Sequence, residues 1–286
     1  MRPRFLVVAA LACALAVPTT GHASKAATRI WPLGDSITVG SSWPSAVPGG
    51  YRTELDEILS NDNYPHQLVG TSTANPSPTL QTDGQTAHDG HGGFRIDQVL
   101  RDIDTAAHGK RDDGGRWLTG IRGRHAITPD IALIHLGTND ILQDWDTRRF
   151  PTRTGRADLT SPWQRSRFVD DMTARLARLI LRIHALRPKC RLVVATVVPI
   201  AGQPFTTVTS VYAAAVRHLV LQLKAERYPV ILADLYAAFT INAAPGSPVT
   251  PGLLTRDGVH PTAAGYAVIG RTFALAVTSS QESRSS

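Results

Sequence analysis

Cysteine is scarce in this chain of 286 residues, which contains only Cys13 and Cys190. Cys13 lies in an apolar segment near the N terminus, and we expect that segment to be removed. A single remaining cysteine cannot form an intramolecular disulfide, so the fold must depend on its hydrophobic core. Cys190 begins the apolar run CRLVVATVV, and a buried, inert thiol is the simplest interpretation of it.

The chain also lacks blocks of charge of one sign. Its 30 Lys and Arg residues exceed its 23 Asp and Glu residues, which gives a formal net charge of +7. The basic residues are scattered and no basic-aromatic motif accompanies them, so we predict no nucleic-acid partner. The one local exception is RRFPTRTGR at residues 148–156.

Long apolar runs are absent except at the N terminus. Two arginines precede an apolar run at residues 5–17, which is followed by the small-residue sequence Gly-His-Ala. This order is typical of a secretory signal peptide. The run is shorter than the roughly 20 residues that span a bilayer, which argues against a stable membrane anchor. We therefore predict a secreted protein with a signal peptide over residues 1–23, cleaved after Ala23 or Ala26.

The rest of the chain alternates short apolar runs with segments of helical periodicity, which is typical of parallel strands joined by crossover helices. The runs are apolar on both faces, as expected when helices cover both sides of a sheet. We predict one domain over residues 27–278, with a three-layer α/β/α, flavodoxin-like fold of about five parallel strands, and a disordered tail over 279–286. The predicted strands are 30–33, 67–69, 131–136, 192–198 and 230–233, and the predicted helices are 51–59, 96–107, 168–186, 211–226 and 263–277.

A serine follows the first predicted strand, in WPLGDSITVG at residues 31–40. Ligands of open parallel sheets bind outside the carboxyl ends of the strands. Free amide N–H groups at a strand-to-helix junction also favour a developing negative charge. Ser36 is therefore a candidate nucleophile, although a serine at this position is by itself more often a helix cap.

A possible base for this serine lies near the C terminus, in RDGVHPTAAGY. A serine hydroxyl is a poor nucleophile unless a base removes its proton. Asp257 and His260 are spaced so that the carboxylate can hold the imidazole in the tautomer whose other nitrogen faces Ser36. Alone, this spacing more often marks a turn or a partial metal site. Together with Ser36, and with Asn139 after the third predicted strand, it indicates a hydrolytic site.

GDSI, GTND and DGVHP, in this order, resemble three sequence blocks of the SGNH, or GDSL-type, serine hydrolase superfamily. HDGHGGFRIDQV at residues 88–99 is similar to the remaining block, with Gly93 as the matching glycine and Gly92 as the alternative. The resemblance implies that Ser36 attacks an ester carbonyl. It also implies an oxyanion hole formed by the backbone N–H groups of Ser36 and Gly93 and the side-chain amide of Asn139.

Other polar residues lie near these blocks. Asp35 and Asp140 are expected to tie their loops together through backbone hydrogen bonds. His135 is expected to be a buried, hydrogen-bonded core residue. We predict no cofactor and no metal ion, because the polar cluster of residues 88–91 offers no clear third or fourth ligand; it consists of His88, Asp89 and His91.

RIWPLGDSITVG, PGGYRTEL and DGHGGFRIDQV look most like carbohydrate esterase family 3, whose members remove acetyl groups from xylan. The resemblance implies that the substrate is an acetylated polysaccharide or another small ester, and we expect a monomer. Two alternatives stay open. A lipid or thioester acylhydrolase would use residues 249–254 as one wall of a longer acyl pocket. A carbohydrate-binding protein without catalysis is argued against by the complete set of candidate residues.

The predicted connection over residues 141–162 is unusually long, and long loops are often functional. Its arginines can pair with carboxylates such as uronic acids, and aromatic faces can stack on sugars. The simpler interpretation, a solvated insertion with Trp163 in the core, is favoured. Asp35, Trp145 and Trp163 are candidate substrate contacts. The four arginines are Arg148, Arg149, Arg153 and Arg156.

Overall fold

The protein is described by a computed structural model that covers residues 26–42, 44–105, 115–120, 125–144, 158–242 and 246–279. The predicted signal peptide lies outside the described residues, as does the predicted tail beyond Ser279. Within the described ranges, no helix combines the length and the apolar character needed to cross a membrane.

A parallel sheet forms the centre of the fold. Its strand order is β2-β1-β4-β5-β6, and the short β3 pairs with the end of β1. The predicted fold class is confirmed, and each predicted strand corresponds to a strand of this path. The sixth strand, β3, was missed because it has two residues and no apolar run. The strands are β1 Thr28–Gly34, β2 His66–Leu68, β3 Asp89–Gly90, β4 Ile131–His135, β5 Arg191–Ala195 and β6 Val230–Ala233.

Helices cover both faces of the sheet. Successive residues of a strand point to opposite faces. Ile131 and Leu133 accordingly belong to the core beneath α2 and α9, whereas Ala132 and Ile134 belong to the core beneath α4, α6 and α7. The helices are α1 Ser36–Val39, α2 Tyr51–Asn61, α3 Pro78–Thr82, α4 Ile96–Asp102, α5 Thr138–Asp144, α6 Pro162–Leu186, α7 Phe205–Ala225, α8 Leu235–Phe239 and α9 Ala263–Thr278.

The long connection predicted over residues 141–162 overlaps a helix at each of its ends. The helix α5 continues through Asp144, and α6 begins at Pro162, six residues before the predicted start. Proline suits the first turn of a helix because the N–H that it lacks has no partner there. Trp163 therefore lies in the first turn of α6 and is 65% exposed, so the interpretation that placed it in the core was wrong.

Candidate active site

Ser36 lies at the carboxyl end of β1, where the chain turns directly into α1. The turn is tight: a Cβ on Gly34 would lie 2.7 Å from the carbonyl oxygen of His135, so the strand ends can meet only with glycine there. The Asp35 carboxylate caps α1, its Oδ1 accepting from the N–H of Ile37 at 2.9 Å. The serine hydroxyl is thus held at the edge of the sheet without having to cap the helix itself.

Two side-chain contacts connect Ser36 to His260 and His260 to Asp257. Ser36 Oγ lies 3.1 Å from His260 Nε2, and His260 Nδ1 lies 2.7 Å from Asp257 Oδ2. The other carboxylate oxygen, Asp257 Oδ1, accepts from the N–H groups of Val259 and His260 at 2.8 and 2.9 Å and from the hydroxyl of Thr255 at 2.7 Å. The arrangement therefore suits transfer of the serine proton to the imidazole.

The Asp257 carboxylate is held in its ionised form. Partial burial acts to raise its pKa, but the hydrogen bonds from the His260 side chain, from two backbone N–H groups and from Thr255 outweigh burial and lower the pKa to about 2. An ionised carboxylate beside Nδ1 favours the tautomer with its proton on Nδ1. His260 Nε2 is then free to accept from Ser36.

The loop that carries His260 is attached to the loop that carries Ser36. Ser42 Oγ donates to the carbonyl oxygen of Pro261 at 2.9 Å, and the hydroxyl of Tyr266 donates to the carbonyl oxygen of Ser41. Ser36 and His260 are 224 residues apart in the chain. These contacts tie their loops together.

Gly93 and Asn139 lie close to each other, each shortly after a strand that pairs with β1. Asn139, in the first turn of α5, donates through Nδ2 to the carbonyl oxygen of Phe94 at 3.1 Å. Gly93 has a φ of +83°, a conformation that glycine adopts without strain. Gly92 is not among the residues with positive φ, so the backbone favours Gly93 over Gly92 as the counterpart of the family glycine.

Asp140 connects the start of α5 to the start of α4, in agreement with the prediction that it ties neighbouring segments together through a backbone hydrogen bond. Its Oδ2 accepts from the N–H of Ile96 at 3.0 Å, and its Oδ1 forms an ion pair with Arg175 Nη1 at 3.0 Å. Both side chains of this pair are buried. Sequence reasoning missed Arg175, because it lies on α6, far along the chain from Asp140.

The polar cluster of residues 88–91 holds the loop around β3. His88 Nδ1 accepts from the N–H of Gly90 at 2.9 Å, and Asp89 accepts from the indole N–H of Trp31 at 2.6 Å. His91 stacks on Trp117, with ring centroids 4.6 Å apart. Within the described ranges, no group of three or more acidic, histidine or cysteine side chains is arranged to hold a metal ion.

His135 is a buried core residue, as predicted. Its Nε2 accepts from the N–H of Val198 at 3.4 Å, and burial lowers the pKa of its imidazole to about 4. This histidine is therefore uncharged at neutral pH.

The three candidate substrate contacts have different outcomes. Asp35 is fully buried, and its capping contact with α1 leaves it inside the protein, so a direct contact with substrate does not fit this structure. Trp163 is exposed, with the guanidinium of Arg167 5.0 Å from the centre of its ring. Trp145 and the four arginines of residues 148–156 lie outside the described residues.

The wild type is expected to lose stability as the pH rises through 6, and Asp35→Asn is expected not to show this loss. Burial raises the pKa of Asp35 to about 6, although the N–H of Ile37, the charge of His260 and the hydroxyl of Thr138 lower it. An unfolded Asp has a pKa of about 3.9. The folded chain therefore binds this proton more tightly, and the associated stability is fully present below about pH 4 and is lost as the pH rises through 6.

Urea unfolding at pH 4 and pH 8 measures this effect. Relative to the Asn variant, the wild type should lose on the order of 3 kcal/mol of unfolding free energy between the two values. KM should not differ between the two proteins at pH 8, since Asp35 does not touch substrate. Parallel stability profiles would show that the Asp35 carboxyl titrates normally.

Most of the chain matches a known protein family. The sequence model of the GDSL-like lipase/acylhydrolase family matches residues 33–268. The multidomain esterase of Ruminococcus flavefaciens is 31% identical over 135 residues, which cover 44% of this chain but only 16% of that protein.

Solved structures show the same fold. A family 3 carbohydrate esterase of Clostridium thermocellum is 23% identical, with a TM-score of 0.62 over 91% of this chain and 100% of that one. A catalytic mutant of an acetylxylan esterase from Geobacillus stearothermophilus is 19% identical, with a TM-score of 0.51 over 88% and 95%. The chain therefore belongs to the GDSL-like lipase/acylhydrolase family.

Proposed function

We propose that this protein is a secreted serine esterase that removes acetyl groups from carbohydrates of the xylan type. The observation that carries the proposal is the chain of contacts from Ser36 to His260 to Asp257 at the carboxyl end of β1. A family of ester hydrolases covers many substrates, so the acetyl group and the sugar are inferred from the surroundings of this site.

The reaction proceeds through an acyl-enzyme. Ser36 Oγ adds to the ester carbonyl while its proton passes to His260 Nε2. The negative charge on the former carbonyl oxygen is held by the N–H groups of Ser36 and Gly93 and by the Asn139 amide. The intermediate then breaks its bond to the sugar oxygen, which takes the proton from His260 and leaves as a hydroxyl. Water attacks the acetyl-serine with His260 as the base, and acetate leaves.

A recess beside the site favours a sugar over a long acyl chain. It has a volume of about 350 Å³. Its walls combine a hydroxyl, an imidazole and glycine backbone with one aromatic and two aliphatic side chains, a mixture that suits a hydroxylated ring better than a hydrocarbon chain. The recess is lined by Val39, Ser72, Ala74, Gly90, His91, Gly92 and Phe94.

Two further observations bear on the substrate. Leu253 and Leu254, in the segment considered as the wall of an acyl pocket, pack against the core beneath α9. Trp163 lies in the first turn of α6, and the other end of α6 leads into the start of β5. The first turn therefore lies towards the carboxyl ends of the strands, the side of the sheet where Ser36 lies. We retain its exposed ring as a candidate for stacking on a sugar outside the catalytic residues.

Initial rates on p-nitrophenyl acetate, butyrate and octanoate, followed by acetate release from acetylated xylan, test the proposal. We expect kcat/KM to fall steeply beyond acetate, and acetate to be released from xylan by the wild type but not by Ser36→Ala. A preference for octanoate would instead indicate a lipid acylhydrolase. Absence of turnover on every ester, with retained binding of xylan, would indicate a carbohydrate-binding protein. Secretion is tested by N-terminal sequencing of the exported chain, which should begin at Ser24 or Ala27.

A further inference from the structure

Gln143 touches both of the residues proposed to hold the oxyanion with Ser36. It lies on α5 one turn after Asn139, and residues four apart on a helix share a face. Its Nε2 donates to the carbonyl oxygen of Gly93 at 2.5 Å and to Asn139 Oδ1 at 3.4 Å. No role in the reaction assigned above requires Gln143, so these contacts need an explanation.

The contact with Asn139 selects one of two orientations of the Asn139 amide. In the observed orientation, Nδ2 donates to the carbonyl oxygen of Phe94 and Oδ1 accepts from Gln143. An amide nitrogen carries two hydrogens, so one remains for the oxyanion. Rotating the amide by half a turn would set Oδ1 against the Phe94 carbonyl and Nδ2 against the Gln143 nitrogen. It would also turn an oxygen, instead of an N–H, towards the substrate.

Gln143 is itself oriented by a cation. Arg95 Nη1 donates to Gln143 Oε1 at 2.9 Å. A guanidinium has donors and no acceptor, so it can contact only the oxygen end of the glutamine amide, and the nitrogen end must face Gly93 and Asn139. Arg95 is held in turn by Asp97, which accepts from Arg95 Nε at 2.9 Å and from Nη2 at 3.2 Å. This two-bond pairing fixes the plane of the guanidinium.

We propose that Gln143 is a positioning residue for the oxyanion hole, and that it acts by orienting the Asn139 amide under the direction of Arg95. The proposal rests on the proposed function, because it requires Asn139 to be an oxyanion donor. Gln143 never touches the substrate. Its contribution appears only where negative charge develops, in the transition state.

Three variants test the proposal with p-nitrophenyl acetate as the substrate. Asn139→Ala should lower kcat by at least about a hundredfold. Gln143→Met keeps the length of the side chain and removes its hydrogen bonds with Asn139, Gly93 and Arg95. Because the bond to Asn139 is the one that orients the amide, kcat should fall by about tenfold with KM nearly unchanged. Gln143→Glu places a carboxylate oxygen against Asn139 Oδ1 and the Gly93 carbonyl, and its kcat should be lower than that of Gln143→Met.

Gln98→Met is the matched control. Gln98 Oε1 accepts from the backbone N–H of Arg95 at 2.9 Å, so this variant removes a hydrogen bond from the same arginine by the same substitution. Its kcat should stay within twofold of the wild type. The melting temperature of each variant shows whether any loss of rate comes from loss of fold.

The decisive comparison is Gln143→Met in the Asn139→Ala background. If Gln143 acts through Asn139, Gln143→Met should change the kcat of the Asn139→Ala protein by less than twofold. A tenfold loss in both backgrounds, or no loss in the wild-type background, would overturn the proposal. Near-normal turnover by Asn139→Ala would instead refute the oxyanion role of Asn139, which belongs to the proposed function.

Discussion

Ser36→Ala is expected to lower kcat on p-nitrophenyl acetate by about 10⁴-fold or more. Without the hydroxyl no acyl-serine forms, and only the donors of the oxyanion hole are left to assist attack by water. The fold should be unaffected, because the capping group of α1 is the Asp35 carboxylate and not Ser36. Initial rates measure the loss, and thermal unfolding followed by circular dichroism confirms that the variant is folded.

Ser42→Ala is the control for this variant. It also removes a serine hydroxyl from the segment after β1, six residues beyond Ser36, but this hydroxyl donates to the Pro261 carbonyl and not to His260. Losing one such hydrogen bond costs about 1 kcal/mol, so its rate should stay within about tenfold of the wild type. Equal losses for the two variants would mean that Ser36 matters for the loop and not for the chemistry.

Asp257→Asn has the second large expected effect, a loss of about 10⁴-fold in kcat at neutral pH. Three donors converge on Oδ1, namely the N–H groups of Val259 and His260 and the hydroxyl of Thr255. The asparagine must therefore place its oxygen there and its NH₂ group against His260 Nδ1. His260 would then carry its proton on Nε2, where it cannot accept the proton of Ser36.

The pH dependence of kcat for Asp257→Asn shows whether its defect comes from the wrong tautomer of His260 or from the lost charge of the carboxylate. In the wild type, the pKa of Asp257 is about 2, so the carboxylate stays ionised from neutral pH down to well below pH 4. The stability that it contributes is present above the unfolded pKa of about 3.9 and is lost as the pH falls through 2. The defect of Asp257→Asn should accordingly persist from pH 6 to pH 9. Recovery of more than a tenth of the wild-type rate within that range would contradict the tautomer argument.

The central sheet was predictable because β1, β4, β5 and β6 each contain a short run that is apolar on both faces, whereas β2 is the short segment His66–Leu68. Residues 131–136 are an example, since β4 is buried along its whole length. The two-residue β3 carries an aspartate that bonds to Trp31 and Thr71, and no apolar pattern marks it. Its pairing with β1 depends on contacts that periodicity does not contain.

The candidate site likewise contains residues that could be predicted from the sequence and residues that could not. Ser36, Asp257 and His260 were found because short motifs place them at ends of elements, where their chemistry has a reason to be. Arg175 and Gln143 were not, because each acts through contacts that exist only in the folded chain and neither has a characteristic spacing. Trp163 was assigned to the core because tryptophan is apolar, but α6 begins beside it, and the ring packs under Arg167 in the first turn.

Covalent labelling with an organophosphate ester tests most directly whether Ser36 is the nucleophile. Esterase activity and the mass of the intact protein are followed together, and the labelled peptide is then identified by mass spectrometry, with the Ser36→Ala protein as the unlabelled control. We predict one phosphoryl group per chain, on the peptide that contains Ser36, in proportion to the activity lost. Full activity in excess reagent, or inactivation with the label on a different residue, would contradict the role of Ser36.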